Sequence, residues 1–150
     1  MFKHILLPTD GSKLSDKAVR QAIKTAKALG AKITAIHVAP DYARYVSERY
    51  NVSAVLAAPV KRKYQEEAAA LSKEILDPVC AAATAAGVEC AAVSATSDAP
   101  YEAIIKQAAK SGCDLIMMAS HGRKGLQSML LGSETHKVLV HSKVPTLVCR

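Results

Sequence analysis

The chain reads as one α/β domain built on a parallel sheet, and three observations carry that reading. Short apolar runs alternate with segments whose apolar residues recur every three or four positions. The runs Ile5–Leu7, Ile33–Val38 and Leu115–Ala119 are apolar at successive positions, as strands are when helices cover a sheet on both faces. Glycine or proline marks nearly every junction, and 150 residues are enough for one well-buried core.

Taken in order, Ile5-Leu6-Leu7 is a buried strand ending at the turn Pro8-Thr9-Asp10-Gly11. From Ser12 to Leu29 the residues Leu14, Ala18, Val19, Ala22, Ile23, Ala26 and Leu29 keep a helical period, and Gly30 follows as a C-terminal cap. Ile33 to Val38 is the second strand. The segment 41–60 holds three tyrosines and two arginines before a run of small apolar residues, and reads as an irregular, partly helical excursion. A long helix is expected from about Lys61 to Ala86, with Tyr64, Ala68, Leu71, Ile75 and Val79 on one face. Pro78 predicts a kink or break near Glu74. Val88 to Thr96 is the third strand. Asp98 is placed to cap the next helix, with Pro100 in its first turn, Ile104, Ile105 and Ala108 facing the core, and Gly112 as its stop. Leu115 to Ala119 is the fourth strand, Glu134 to Lys143 the last helix, and Thr146 to Cys149 the fifth strand.

Composition narrows the function classes. With one Phe, five Tyr and no Trp, the core is built from small and aliphatic side chains. No apolar run reaches the roughly 18–20 residues that span a bilayer, and the N-terminus lacks the features of a signal peptide, so a cytoplasmic location is expected. Cys80, Cys90, Cys113 and Cys149 show neither C-x-x-C pairing nor metal spacing and read as small hydrophobes. The net charge of +7 favours anionic ligands. The lysines are nevertheless spread along helices, and no helix-turn-helix, zinc spacing or aromatic-interleaved basic strand accompanies them, so nucleic acid is not the expected partner.

Most of the chemistry lies between Leu115 and Ser133. A buried strand stops at Ala119-Ser120-His121-Gly122, nine residues separate Gly122 from Gly132-Ser133, and a helical pattern follows. A strand, a glycine-punctuated basic loop and a serine at a helix start form a phosphate cradle. Glycines let the backbone approach an anion, and first-turn amides point at it. Ser133 is expected at the N-cap, while Arg123 and Lys124 add positive charge. His121 reads as a loop histidine near phosphates, since no serine or carboxylate is spaced to orient it as a base; His4, His37, His136 and His141 show no ligand spacing. Gly125 serves loop conformation. Asp10 is either a turn residue or a carboxylate accepting ribose hydroxyls. No G-x-x-x-x-G-K-[ST] is present, so the cradle is not a Walker loop, and no catalytic residue or metal ligand stands out.

P-T-D-G-S at 8–12, the glycine loop and V-P-T-L-V at 144–148 together make the chain resemble the universal stress proteins, over essentially its whole length. Nucleotide-binding members carry glycine, two residues, glycine, nine residues, then glycine with serine or threonine. Gly122, Gly132 and Ser133 match; Ala119 stands in place of the first glycine. If that position needs positive φ, alanine costs on the order of 1 kcal/mol; if glycine is there for close approach, a methyl crowds the ligand; if it merely ends a strand, alanine is harmless. A second point concerns Glu134, whose carboxylate in the first helical turn would compete with phosphate.

The resemblance implies a five-stranded, mostly parallel, Rossmann-like sheet in the order 3-2-1-4-5, with helices on both faces and residues 1–150 as a single domain. Strands 1 and 4 then flank the switch in strand order, where ligands of such sheets bind. By the same resemblance ATP or another adenine nucleotide, with Mg²⁺ on its phosphates, is implied near Pro8, Thr9 and Asp10, beside Val38, against Met118 and Ala119, and along Gly122, Arg123, Gly132, Ser133, Glu134 and Thr135. It also implies a homodimer paired through the last strand, 145–149, whose bare apolar edge needs a cover. The function expected is a dimeric, nucleotide-responsive stress switch or partner module. The alternatives are a dimeric interaction protein without nucleotide, or a slow ATPase or adenylyl-chemistry enzyme.

Overall fold

Alternation along the strands sorts the core into two layers, and the two layers position everything else. The computed structural model describes residues 1–50, 58–122 and 131–150. Its elements are β1 (His4–Pro8), α1 (Lys13–Leu29), β2 (Lys32–Ala39), α2 (Tyr42–Tyr50), α3 (Ala58–Ala85), β3 (Cys90–Thr96), α4 (Pro100–Ser111), β4 (Leu115–Ala119), α5 (Ser133–His141) and β5 (Thr146–Cys149). All four strand pairings are parallel and the order is β3-β2-β1-β4-β5, the expected topology. Ile5, Leu7, Ile33, Ala35, Leu115, Met117 and Ala119 point to one face, where they meet Ala18, Val19, Ala22 and Ala26 of α1 and Leu76, Val79 and Ala83 of α3. Leu6, Ile36, Ile116 and Met118 point to the other, against Ile104 and Ala108 of α4 and Val138 of α5.

Local chemistry fixes the ends of α1. Ser12 accepts the Ser15 N–H at 3.2 Å as N-cap, and Gly30 takes the left-handed conformation, φ 62°, that ends the helix. The segment after β2 is helical over Tyr42–Tyr50. There Tyr42 and Val46 pack on Tyr64 of α3, and the Tyr64 hydroxyl donates to the Pro40 carbonyl. Residues 51–57 lie outside the described residues.

Four expectations need correction. Pro78 does not break α3, which runs from Ala58 to Ala85 in one piece. Ile75, Leu76, Val79 and Ala83 are buried on either side of the proline, and their packing outweighs one lost backbone hydrogen bond. Leu71 is 41% exposed, and the buried position beside it is Ser72, hydrogen-bonded to His37 Nδ1 at 2.8 Å. Asp98 does not cap α4. Its Oδ1 accepts the Asp41 N–H, the N-cap is Ala99 without a side-chain bond, and the Tyr101 N–H of the first turn is taken by Glu134 Oε2 at 2.9 Å. The third strand begins at Cys90 rather than Val88, and as an edge strand it is only partly covered.

Candidate functional site

The candidate site is the crevice expected where the strand order switches, at the C-terminal ends of β1 and β4. At the opposite end the two strands are tied together, because Asp114 N–H donates to the His4 carbonyl at 2.9 Å and the Asp114 carboxylate accepts the Lys3 and His4 N–H groups. Although its own desolvation opposes this, those backbone donors hold the Asp114 carboxyl below the usual range. Registered pairs between β1 and β4 stop at Leu6↔Ile116. Beyond that point Pro8, Thr9 and Asp10 lie on one side and Met118, Ala119 and Ser120 on the other.

The β1 loop is a closed hydrogen-bond unit. Asp10 Oδ1 accepts the Ser12 N–H at 2.9 Å, Ser15 Oγ accepts the Asp10 N–H at 3.3 Å, and Thr9 Oγ1 accepts the Gly11 N–H. Gly11 has φ 73°, which lets the chain reverse into α1. The second oxygen of Asp10 faces the β4 loop. A Cβ built on Gly122 would lie 2.7 Å from Asp10 Oδ2, although the Gly122 backbone is one any residue can adopt. A side chain at Gly122 would therefore push the Asp10 carboxylate out of its place.

Gly132 repeats that logic. Its φ of −68° suits any residue, yet a Cβ would meet the Ser120 carbonyl at 3.0 Å and His121 Cα at 3.2 Å. The Gly132 N–H donates to the Ser120 carbonyl at 2.7 Å, so this amide holds the end of β4 and is not turned to a ligand. The N-cap of α5 is Gly132, not Ser133; Ser133 is the exposed first residue of the helix. Thr135 Oγ1, buried, donates to the Ala119 carbonyl at 2.9 Å and fixes the first turn of α5 over the strand end. The helix ends at His141, two residues earlier than expected. Arg123, Lys124 and Gly125 lie outside the described residues.

Ala119 is decided by its geometry. It ends β4 in register with Cys149, 7% exposed, and its methyl packs in the core layer with α1 and α3. An extended strand position with an inward methyl needs no glycine. Glu134 is likewise turned away from the crevice, bonded to the Tyr101 N–H and to Lys137 Nζ at 2.9 Å. Val38, half-buried, sits two residues past Ile36, whose carbonyl accepts the Thr9 N–H at the end of β1. The same parity directs the Val38 peptide groups to the space beyond β1. His121 places Nδ1 3.1 Å from Ser120 Oγ, while its Nε2 is buried with no hydrogen-bond partner among the described residues.

Sequence reasoning missed Ser15, the Glu134–Tyr101 link and the buried His121 nitrogen. Only Ser15 had a visible signal, in the S-K-L-S spacing at 12–15. Among the described residues no cluster of three or more His, Cys, Asp or Glu forms a metal site, and no helix is long and apolar enough to cross a membrane.

A doubly covered parallel sheet with a crevice at its switch point defines a Rossmann-like α/β protein. The sequence profile of the Universal stress protein family matches residues 1–150, and the chain belongs to that family. It is 30% identical to Universal stress protein YxiE of Bacillus subtilis, each aligned over its full length. It is also 30% identical to Universal stress protein MJ0577 of Methanocaldococcus jannaschii, covering all of this chain and 96% of that one. The solved structure of MJ0577 superposes with a TM-score of 0.78 over 99% of this chain and 96% of that one. A universal stress protein solved in complex with cAMP shares the fold at 23% identity and a TM-score of 0.66, over 99% of this chain and 97% of that one.

Proposed function

We propose that the crevice binds an adenine nucleotide, ATP in the first instance, and that the protein works as a nucleotide-responsive dimeric switch or partner module. The observation that carries this reading is the pair of glycines held to ordinary φ but without room for a Cβ. Together they bring Asp10, the end of β4 and the start of α5 close to one another. In that arrangement the first-turn amides of α5 and the Ser133 hydroxyl meet phosphate. Asp10 accepts ribose hydroxyls, and the Val38 peptide groups with Met118 meet the base. Pro8, Thr9, Ala119 and Thr135 shape the walls.

The residues present fit such a ligand. His121 Nε2, buried without a partner among the described residues, would find one in a phosphate oxygen. Glu134, already occupied by Tyr101 and Lys137, does not oppose the anion at the crevice. Mg²⁺ would ride on the phosphates, ligated mainly by water and phosphate oxygens. That a relative of this fold was solved with cAMP agrees in ligand class. Dimerisation is proposed through β5, the edge strand, where Leu147 is 43% exposed.

The test is calorimetric titration of nucleotide-stripped protein with Mg-ATP, and with AMP for comparison. Binding near one per chain, weakened at least tenfold by Asp10→Ala, is the expected result. No saturable heat at millimolar ATP would leave a dimeric interaction protein as the better account.

A further inference from the structure

Two of the four cysteines meet. Cys80, on α3, and Cys90, the first residue of β3, place their sulfurs 2.9 Å apart, closer than two sulfurs rest without a shared hydrogen or a bond. The approach is built into rigid structure. Between them the chain reverses through Gly87 at φ 78°, with the Gly87 N–H bonded to the Thr84 carbonyl and the Val88 N–H to the Ala83 carbonyl, both at 2.9 Å. Cys90 is then fixed in the sheet opposite Ile33. Both cysteines of the pair are half-buried and reachable, whereas Cys113 and Cys149 are buried.

We propose that Cys80 and Cys90 are a modification site, forming a reversible intramolecular disulfide that ties the C-terminal half of α3 to the start of the edge strand β3. A disulfide bond of about 2.05 Å is reached by closing the present gap by roughly 0.9 Å, within the reach of a change of side-chain torsion. The oxidant is a low-molecular-weight disulfide such as oxidised glutathione. Burial, then the hydrogen bond to Cys80, pushes the Cys90 thiol up, and we assign the first attack to Cys80.

The Cys80 thiolate attacks one sulfur of glutathione disulfide, forming a mixed disulfide and releasing a glutathione thiolate. Cys90 then surrenders its proton to solvent, and its sulfur displaces the second glutathione from Cys80. Two protein thiols and one glutathione disulfide become one protein disulfide and two glutathione thiols, with two electrons transferred to glutathione. The raised Cys90 thiol slows the second step. The contact between the sulfurs offsets that by making the step intramolecular.

This site stands apart from the crevice, and its test needs no nucleotide. The intact chain is incubated with oxidised glutathione, trapped with an alkylating agent and weighed. Alkylated under denaturing conditions, the expected product carries two alkyl groups where the reduced chain carries four. It is lighter by two hydrogens once those groups are subtracted, with Cys80 linked to Cys90 on peptide mapping and Cys113 and Cys149 alkylated. Its thermal midpoint rises by roughly 5–10 °C and returns on reduction. Cys90→Ser is expected to stop at a stable glutathione adduct on Cys80. Persistent glutathione on Cys80 in the wild-type chain, or four alkylated cysteines after oxidation, would overturn the proposal. So would a bridge to Cys113 or Cys149.

Discussion

Restoring the missing motif glycine should damage this protein and improve nothing. In Ala119→Gly the lost methyl is 7% exposed and packs in the core layer with α1 and α3. Returning a methyl-sized area to water costs about 0.8 kcal/mol. A glycine inside a strand adds about 0.5–1 kcal/mol of backbone entropy, because Ala119 is paired with Cys149 in extended conformation. The sum, about 1.5 kcal/mol, lowers the thermal midpoint by roughly 3–6 °C for a domain of this size. Urea unfolding measures the first quantity and nucleotide titration of the same samples the second. Affinity is expected to stay within about twofold, since the methyl points into the core and not the crevice. A variant that keeps its stability and gains tenfold in nucleotide affinity would refute the assignment of Ala119 as a plain strand residue.

The other consequences separate binding from folding. Gly122→Ala sets a methyl against the Asp10 carboxylate, a movable group, so stability falls by less than about 1 kcal/mol while nucleotide affinity drops on the order of tenfold; equal losses in both would contradict this. Thr135→Val leaves the Ala119 carbonyl without its buried donor and is expected to cost about 1–3 kcal/mol in urea unfolding, against little for the exposed Ser133→Ala. His4 is buried against Thr34, and burial, then the Lys32 charge, holds its pKa below 6.5. The unfolded chain therefore takes up a proton from about pH 6.5 downward while the folded chain does not. Stability then falls with pH through that window, more steeply than in His4→Gln; parallel profiles between pH 7 and 5 would remove His4 as the cause.

Much of the fold was legible because single residues settle single questions. Gly30 and Gly112 marked helix ends by the one conformation they adopt easily, and both are left-handed caps. The strands β1 and β4 were visible because apolar residues at successive positions fit only a sheet covered on both sides. What escaped was tertiary. Period alone put Leu71 in the core, but the packing of α3 over β2 turned Ser72 inward to His37. Propensity alone pointed to a kink or break near Glu74, but α3 is continuous through Pro78, with Ile75 and Val79 buried on either side. Asp98 looked like a cap because its partner Asp41 is 57 residues away, a distance at which sequence gives no warning. In the candidate site, the spacing located Gly122 and Gly132, yet it could not tell whether they serve conformation or room. Their ordinary φ angles and crowded Cβ positions assign them to room.

The unequal joining of β1 and β4 also sets where this domain breathes. At one end the Asp114 carboxylate and the His4 carbonyl knit the two strands; at the other their registered pairing ends at Leu6↔Ile116. The middle of the sheet, usually the slowest part of such a protein to exchange its amide hydrogens, is here open at one end. A molecule lodged there would bridge β1, with β2 and β3 beyond it, to β4 and β5. Its arrival would be recorded as slowed exchange along Thr9–Gly11 and Ala119–Gly122, with the outer strands β3 and β5 unchanged.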